Sequence, residues 1–373
     1  MCKMEKKRFG VCLVCACCLA MGMMTGAEEI KRMGSGSHGT AMRAYELRMN
    51  GRLDEAMTLL EHSISENSSD AGMHYELARS YYHKGLGNPQ TLVDMLKESQ
   101  ACIEKAVERA PDRVVYHTFS GHVAFMRGYY YLMTNGDKTA TQEQFQKARE
   151  GFTSALRLKP DYKQAMLYLV ELNGEMSEDT GANRELARKH ASKLEELDPV
   201  FAAKAKSLLS PQDLAFWKDI VERHPTNTDA LEELGKAYLN VGEVDDAVLC
   251  FEKAVKSDPQ KGSLFLDLSI YHTFAAMRAR EDQELMKRHA TAGNDAVTKY
   301  LGSKPIQPMQ AYALGIQSKY TSHLGDREQG NVLFEQAKAL DPYFSKATGC
   351  PIPDLFIPPG TVSQHHRYLG RRY

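Results

Sequence analysis

Residues 228–261 read TDALEELGKAYLNVGEVDDAVLCFEKAVKSDPQK, and the placing of their apolar and small residues decides the fold. Leu231, Leu234, Gly235 and Tyr238 fall at helical spacing on one face. Gly242 breaks that helix; Ala247, Phe251, Ala254 and Val255 form the stripe of a second, which Pro259 stops. Gly235 and Ala247 have almost no side chain, so the two helices can approach closely, and Tyr238 and Phe251 fill the space around the crossing. Burying a ring such as Phe251 contributes on the order of 1.5–3 kcal/mol. One hairpin cannot bury its apolar face alone, so the stretch predicts neighbours of its own kind.

The unit resembles the tetratricopeptide repeat, a helical hairpin with a period of about 34 residues. The resemblance is carried by Leu231, Leu234, Gly235, Tyr238, Gly242, Ala247, Phe251, Ala254 and Pro259, which stand where that family prefers bulky, small, aromatic and helix-breaking residues in the same order. Looser copies run over 37–70, 71–113, 114–162, 163–201, 262 to about 301, and 311–344. The resemblance therefore implies an all-α, right-handed α-solenoid of about seven hairpins.

Repeats two to four are too long for the period. Asn88-Pro89 reads as an N-cap and first helical residue, and Tyr129 to Leu132 continue a helix to a turn at Asn135-Gly136-Asp137. Thr141 with Gln144 reads as a capping box, and a third insertion lies around Ser177 to Ala182. Such insertions are expected to form a ledge along one edge of the solenoid. Residues 202–227 read as an irregular hairpin whose helix opens at Ser210-Pro211 and stops after His224, bending the array before repeats five to seven at 228–344.

The ends differ in character. Lys3, Lys6, Lys7 and Arg8 precede an apolar run from Phe9 to Met24, and small residues follow at Thr25-Gly26-Ala27. This is the pattern of a secretory signal peptide over 1–27. Val14-Cys15-Ala16-Cys17 also resembles a lipobox, and an uncleaved anchor is the third reading. Five of the 8 cysteines lie here, leaving Cys102, Cys250 and Cys350, too dispersed for a disulfide framework. Residues 28–36 read as a flexible linker, although 34–39 (GSGSHG) has the spacing of a phosphate loop without its preceding strand. Over 345–373, Pro351, Pro353, Pro358 and Pro359 exclude a regular helix through the first part and predict an extended segment.

The family resemblance implies that the first helix of each hairpin lines a concave groove. That places Tyr45, Tyr75, Arg79, Tyr82, Phe119, His122, Phe125 and Tyr168 along its first half as a partner-binding surface. Two readings of this aromatic stretch stay open: contact area for an extended apolar peptide, or internal packing. In repeat five Asp229, Glu232, Glu233 and Lys236 are expected to form an acidic, solvated face. The Lys and Asn with which some repeats hold chaperone tails are replaced in repeat one by Ala41 and Tyr45.

A net charge of −1 argues against a general nucleic-acid surface. No metalloprotease, paired Cys or nucleophile-elbow motif occurs, and the histidines are dispersed. The expectation is a non-enzymatic protein–protein interaction scaffold of the bacterial cell envelope, exported or periplasmic. It would need no cofactor or metal, and would meet a membrane only if lipidated at Cys17 or left uncleaved. The alternatives are a periplasmic binding protein for a small apolar ligand or lipid, and an accessory subunit of an envelope enzyme or transport complex.

Overall fold

The computed structural model describes residues 38–66, 69–134, 137–174, 181–347 and Gln364. The expected signal peptide, the 28–36 linker, Cys350 and nearly all of the Pro-rich segment lie outside them. Repeat one is α1 (His38–Met49) with α2 (Leu53–Glu66), repeat two α3 (Ala71–Leu86) with α4 (Leu92–Arg109), and repeat three α5 (Val114–Thr134) with α6 (Lys138–Leu158). Repeat four is α7 (Lys163–Gly174) with α8 (Arg184–Leu197). Next come α9 (Pro199–Leu209) and α10 (Leu214–Arg223), then repeat five as α11 (Thr228–Val241) and α12 (Val244–Ser257). Repeats six and seven are α13 (Leu264–Arg278) with α14 (Gln283–Gly302), and α15 (Gln307–His323) with α16 (Arg327–Leu340). The fold is an all-α solenoid.

Repeat five packs as its residues dictate. Ala247, Phe251 and Ala254 are fully buried, and a Cβ on Gly235 would meet the Phe251 ring at 2.3 Å. Tyr238 is partly buried and lies beneath the Lys218 ammonium. Asn227 caps α11, accepting from Asp229 N and Ala230 N at 2.9 and 3.0 Å. Pro259 does more than end α12: it opens a 3-10 turn, Pro259–Ser263, that leads into α13.

Local readings in the longer repeats need correction. Asn88 caps no helix: its Oδ1 accepts from Gln90 N at 3.0 Å within a turn, and α4 begins at Leu92. Asp137 caps α6 through Ala140 N, so Thr141 and Gln144 lie inside that helix, buried, rather than forming a capping box. The extra residues lengthen α4, α5 and α6 to 18, 21 and 21 residues, so in repeats two and three they extend the hairpins themselves. Of the third insertion, 175–180 lies outside the described residues.

The 202–227 unit is not a hairpin. Asp198 caps α9 through Val200 N and Phe201 N, with Pro199 in its first turn. The next helix opens at Asp213, whose side chain accepts from Phe216 N, not at Ser210-Pro211. Helix α9 packs on α7 and α8, while α10 packs on α11. The two helices thus have different main neighbours, although Val200 and Ala203 of α9 also enter the core around Trp217 and Ile220. Each junction has a small core of its own: Val170, Leu194, Phe201 and Ala205 in one, Trp217, Ile220, Leu234 and Cys250 in the other. A larger core joins residues of repeats one to four with residues of repeats five to seven.

The array also closes on itself. Gln307 Nε2 donates to the carbonyl oxygens of Asn50 and Leu340, both at 3.0 Å, joining the turn of repeat one to both helices of repeat seven. Gly51 makes this approach possible: its φ is +70°, and a Cβ there would fall 1.8 Å from the Leu340 carbonyl oxygen. Beside it Asp54 accepts from the Tyr343 hydroxyl at 2.7 Å and from Lys84 at 3.2 Å. Buried His83 lies 2.9 Å from the Asp341 carboxylate, and its ring is 3.7 Å from that of Phe344. Asp341 in turn accepts from Tyr343 N and Phe344 N through its other oxygen. The seam is therefore hydrogen-bonded on both sides.

Candidate functional site

Consecutive first helices lie side by side, and the residues expected to line the groove meet across them. Tyr75 of α3 packs edge-on to Phe119 of α5 at 5.7 Å between ring centroids. The Tyr82 hydroxyl lies 3.0 Å from His122 Nε2. Phe125 of α5 meets Tyr168 of α7 edge-on at 5.5 Å. Tyr168 stacks flat on Phe152 of α6 at 4.4 Å. The Tyr129 hydroxyl donates to Glu171 at 3.0 Å.

This changes the status of the candidate residues. Tyr75, Arg79, Tyr82, Phe119, His122, Phe125 and Tyr168 are all buried; Tyr45 alone keeps partial exposure. They do not stand as an open aromatic wall. Burial shows in their chemistry too. It depresses His122 to about 3, so the imidazole is neutral at pH 7. It pushes the Tyr168 phenol well above its ordinary range. The Cys102 and Cys250 thiols are pushed up to about 11 for the same reason, which makes them poor nucleophiles.

Charge enters this face at repeats one and two. Glu76 is bridged by Arg48 at 2.6 Å and by Arg79 at 3.2 Å, all three buried. Both guanidiniums lie against the Tyr45 ring, at 5.6 and 5.3 Å from its centroid. This places two cations and one carboxylate together beneath an aromatic ring. Burial, then Arg48, lowers the Arg79 pKa.

In repeat five the expectation of a solvated acidic face is overturned. Asp229 and Glu232 are buried, and Lys261, 1% exposed, donates to both at 2.6 Å. Lys236 pairs with Glu232 and Glu233 on its own helix, and Lys204 of α9 reaches Glu233 at 3.6 Å. Burial alone would raise the Glu232 pKa; Lys236, Lys261 and Lys204 outweigh it and hold the carboxyl well below the ordinary range. Sequence reading missed Lys204 and Lys261 because both come from outside the first helix. No periodicity marks a lysine that reaches back about 30 residues.

Two further features were not anticipated. His272 Nδ1 and His289 Nδ1 lie 3.2 Å apart, linking α13 to α14. Burial, then His289, lowers His272 to about 4. Elsewhere, α6, α7 and α8 border a cleft of about 650 Å³, with Leu156 and Met166 beside Lys189, His190, Lys193 and Glu196. Among the described residues no three His, Cys, Asp or Glu side chains cluster as metal ligands would, and no helix is long and apolar enough to cross a membrane.

Residues 228–261 match the tetratricopeptide repeat family. That stretch is a tetratricopeptide repeat. It is similar to Tetratricopeptide repeat protein 37 of Xenopus laevis, at 28% identity over 196 residues, covering 50% of this chain and 12% of the relative. The chain thus spans a small part of that relative's length. Among solved structures it is similar to a thermophilic TPR protein of Thermus thermophilus, at 19% identity and TM-score 0.34, covering 69% of this chain and 98% of the other. A monomeric IFIT1 mutant with m7Gppp-AAAA gives 15% identity and TM-score 0.39, covering 90% of this chain and 61% of the other. At these scores the solved structures carry no argument about function.

Proposed function

We infer that this tetratricopeptide-repeat chain is a non-enzymatic protein–protein interaction scaffold whose inner face takes an extended peptide segment. The observation that carries this reading is the polarity of a buried face. Arg48, Glu76, Arg79, His122, Glu171, Asp229 and Glu232 all lie on first helices and all are withdrawn from solvent. A face that served only to pack helices would be at least as stable with apolar residues of similar volume, since each buried charge costs desolvation. Polar groups beside aromatic ones are what recognition of a peptide backbone and its side chains requires.

The test is a photo-reactive p-benzoylphenylalanine placed at Tyr45, the partly exposed member of the face, in cells of the source organism. The expected result is a covalent adduct with one second polypeptide. A small molecule copurifying in stoichiometric amount, with no polypeptide adduct, would overturn the reading in favour of a small-ligand binding protein. The setting we propose is the bacterial cell envelope, on the strength of the basic and apolar residues of 1–27. Intact mass of the exported species should begin at Glu28 without an acyl chain. A cytosolic protein retaining Met1 would remove the envelope from the proposal.

A further inference from the structure

We propose that the cleft between α6, α7 and α8 is a binding site for a small amphiphilic monocarboxylate, an alkyl chain of medium length ending in one carboxylate. The site goes beyond the peptide reading of the first helices and does not depend on it. Its volume of about 650 Å³ lies within the roughly 300–1,000 Å³ usual for small-molecule sites. One side is apolar: Leu156 in the last turn of α6, Pro160 in the turn that follows, and Met166 in the first turn of α7. The other side is a polar stripe of α8. Lys189, Lys193 and Glu196 recur at intervals of four and three residues and so share one face of that helix, whereas Ala187 and Leu194 are buried on another. His190 lies between the two faces and is half-buried.

The charge of the stripe decides what fits the cleft. Lys193 donates to Glu196 at 2.5 Å, so that pair is balanced. The Lys189 ammonium and the His190 ring have no hydrogen-bond or ion-pair partner among the described residues. Burial, then Lys189, lowers the His190 pKa, so the ring is neutral at pH 7 and keeps one N–H to donate. One uncompensated cation and one neutral donor beside three apolar side chains match a single negative charge on an apolar body. A carboxylate offers two oxygens, one for each donor. The walls are mostly helical, so their backbone groups are already paired and give an extended peptide no main-chain partners.

Titration calorimetry of the full-length protein with sodium hexanoate, octanoate and decanoate tests the proposal. One site per chain is expected, with affinity rising about two- to fourfold for each added methylene. Lys189→Glu should weaken decanoate binding by about tenfold or more. Ser192→Trp, which fills the cleft from an exposed lining position, should abolish it. Lys256→Glu, the same charge reversal at an exposed position of α12, should leave it within about twofold. Lys189 and Ser192 are both exposed, so neither change removes a buried contact, and an unchanged urea midpoint checks that each variant is folded. Binding that survives Lys189→Glu, affinity independent of chain length, or no saturable binding would overturn the proposal. So would 1-octanol binding as tightly as octanoate, which would remove the anion from the site. A peptide ending in leucine that displaces decanoate more strongly than octanoate does would make the occupant a chain terminus, and would overturn it too.

Discussion

From α3 to α7 the first helices are sealed by rings; at α11 the corresponding positions are sealed by charges. In the first region Tyr75, Phe119, Phe125 and Tyr168 cover one another, and His122 is held neutral among them. In the second Lys261 and Lys236 clamp Asp229 and Glu232. Both reach near-complete burial, but by different balances. Ring burial is favourable in itself and tolerates imperfect geometry. A buried ion network roughly breaks even against desolvation, and fails badly when one member is lost. The contrast teaches that equivalent positions of a repeat fix where a side chain points and leave open what neutralises it.

The sharpest way to break the ring-sealed region is Phe152→Ala. It removes the partner stacked on Tyr168 and leaves a cavity, so a loss of about 3–5 kcal/mol is expected from urea unfolding. In the charge-sealed region Lys261→Met should cost about 3 kcal/mol, since Lys204 and Lys236 compensate only part of the buried acidic charge. Adding Asp229→Leu and Glu232→Leu to that variant should restore much of the loss. If the triple variant is no better than Lys261→Met, the ionic account of this seal is wrong.

Acid should separate the two regions next. The folded His122 pKa lies below its unfolded value of about 6.5, so the unfolded state takes up the proton first. Stability is then full above about pH 6.5 and falls as pH drops toward the folded value of about 3. At pH 5.5 the loss from this one group is about 1.4 kcal/mol, and it should be absent in His122→Gln. The Glu232 contribution is still intact at that pH, because its folded pKa is depressed and its loss begins only below about pH 4.3. The smallest effect is expected on the surface. Lys299 and Glu252 pair at 2.6 Å but both are nearly half exposed, so Lys299→Ala should change stability by less than about 0.5 kcal/mol.

How far the residues alone could be read follows the range of the contacts. The hairpin at 228–261 was legible to the side chain: Gly235 under Phe251 and the buried Ala247 and Ala254 follow from spacing within one repeat. Caps in longer repeats were less so, because Asn88 competes with Thr91, and Thr141 with Asp137, for the same helix start. The 202–227 segment was misread because a lone pair of helices looks like a hairpin, whereas α9 and α10 find better partners in α7 with α8 and in α11.

The order of apolar, small and helix-breaking residues, which act over one or two helical turns, determined the all-α repeat architecture and the register of repeat five. Tertiary structure alone decided that these first-helix positions are buried, that Lys261 and Lys204 neutralise an apparently acidic surface, and that Gly51, His83 and Asp54 meet repeat seven to close the array. Those contacts join residues from about 30 to nearly 300 positions apart. Only the cumulative rotation of successive hairpins brings such residues together, and that rotation is set by packing at every interface at once.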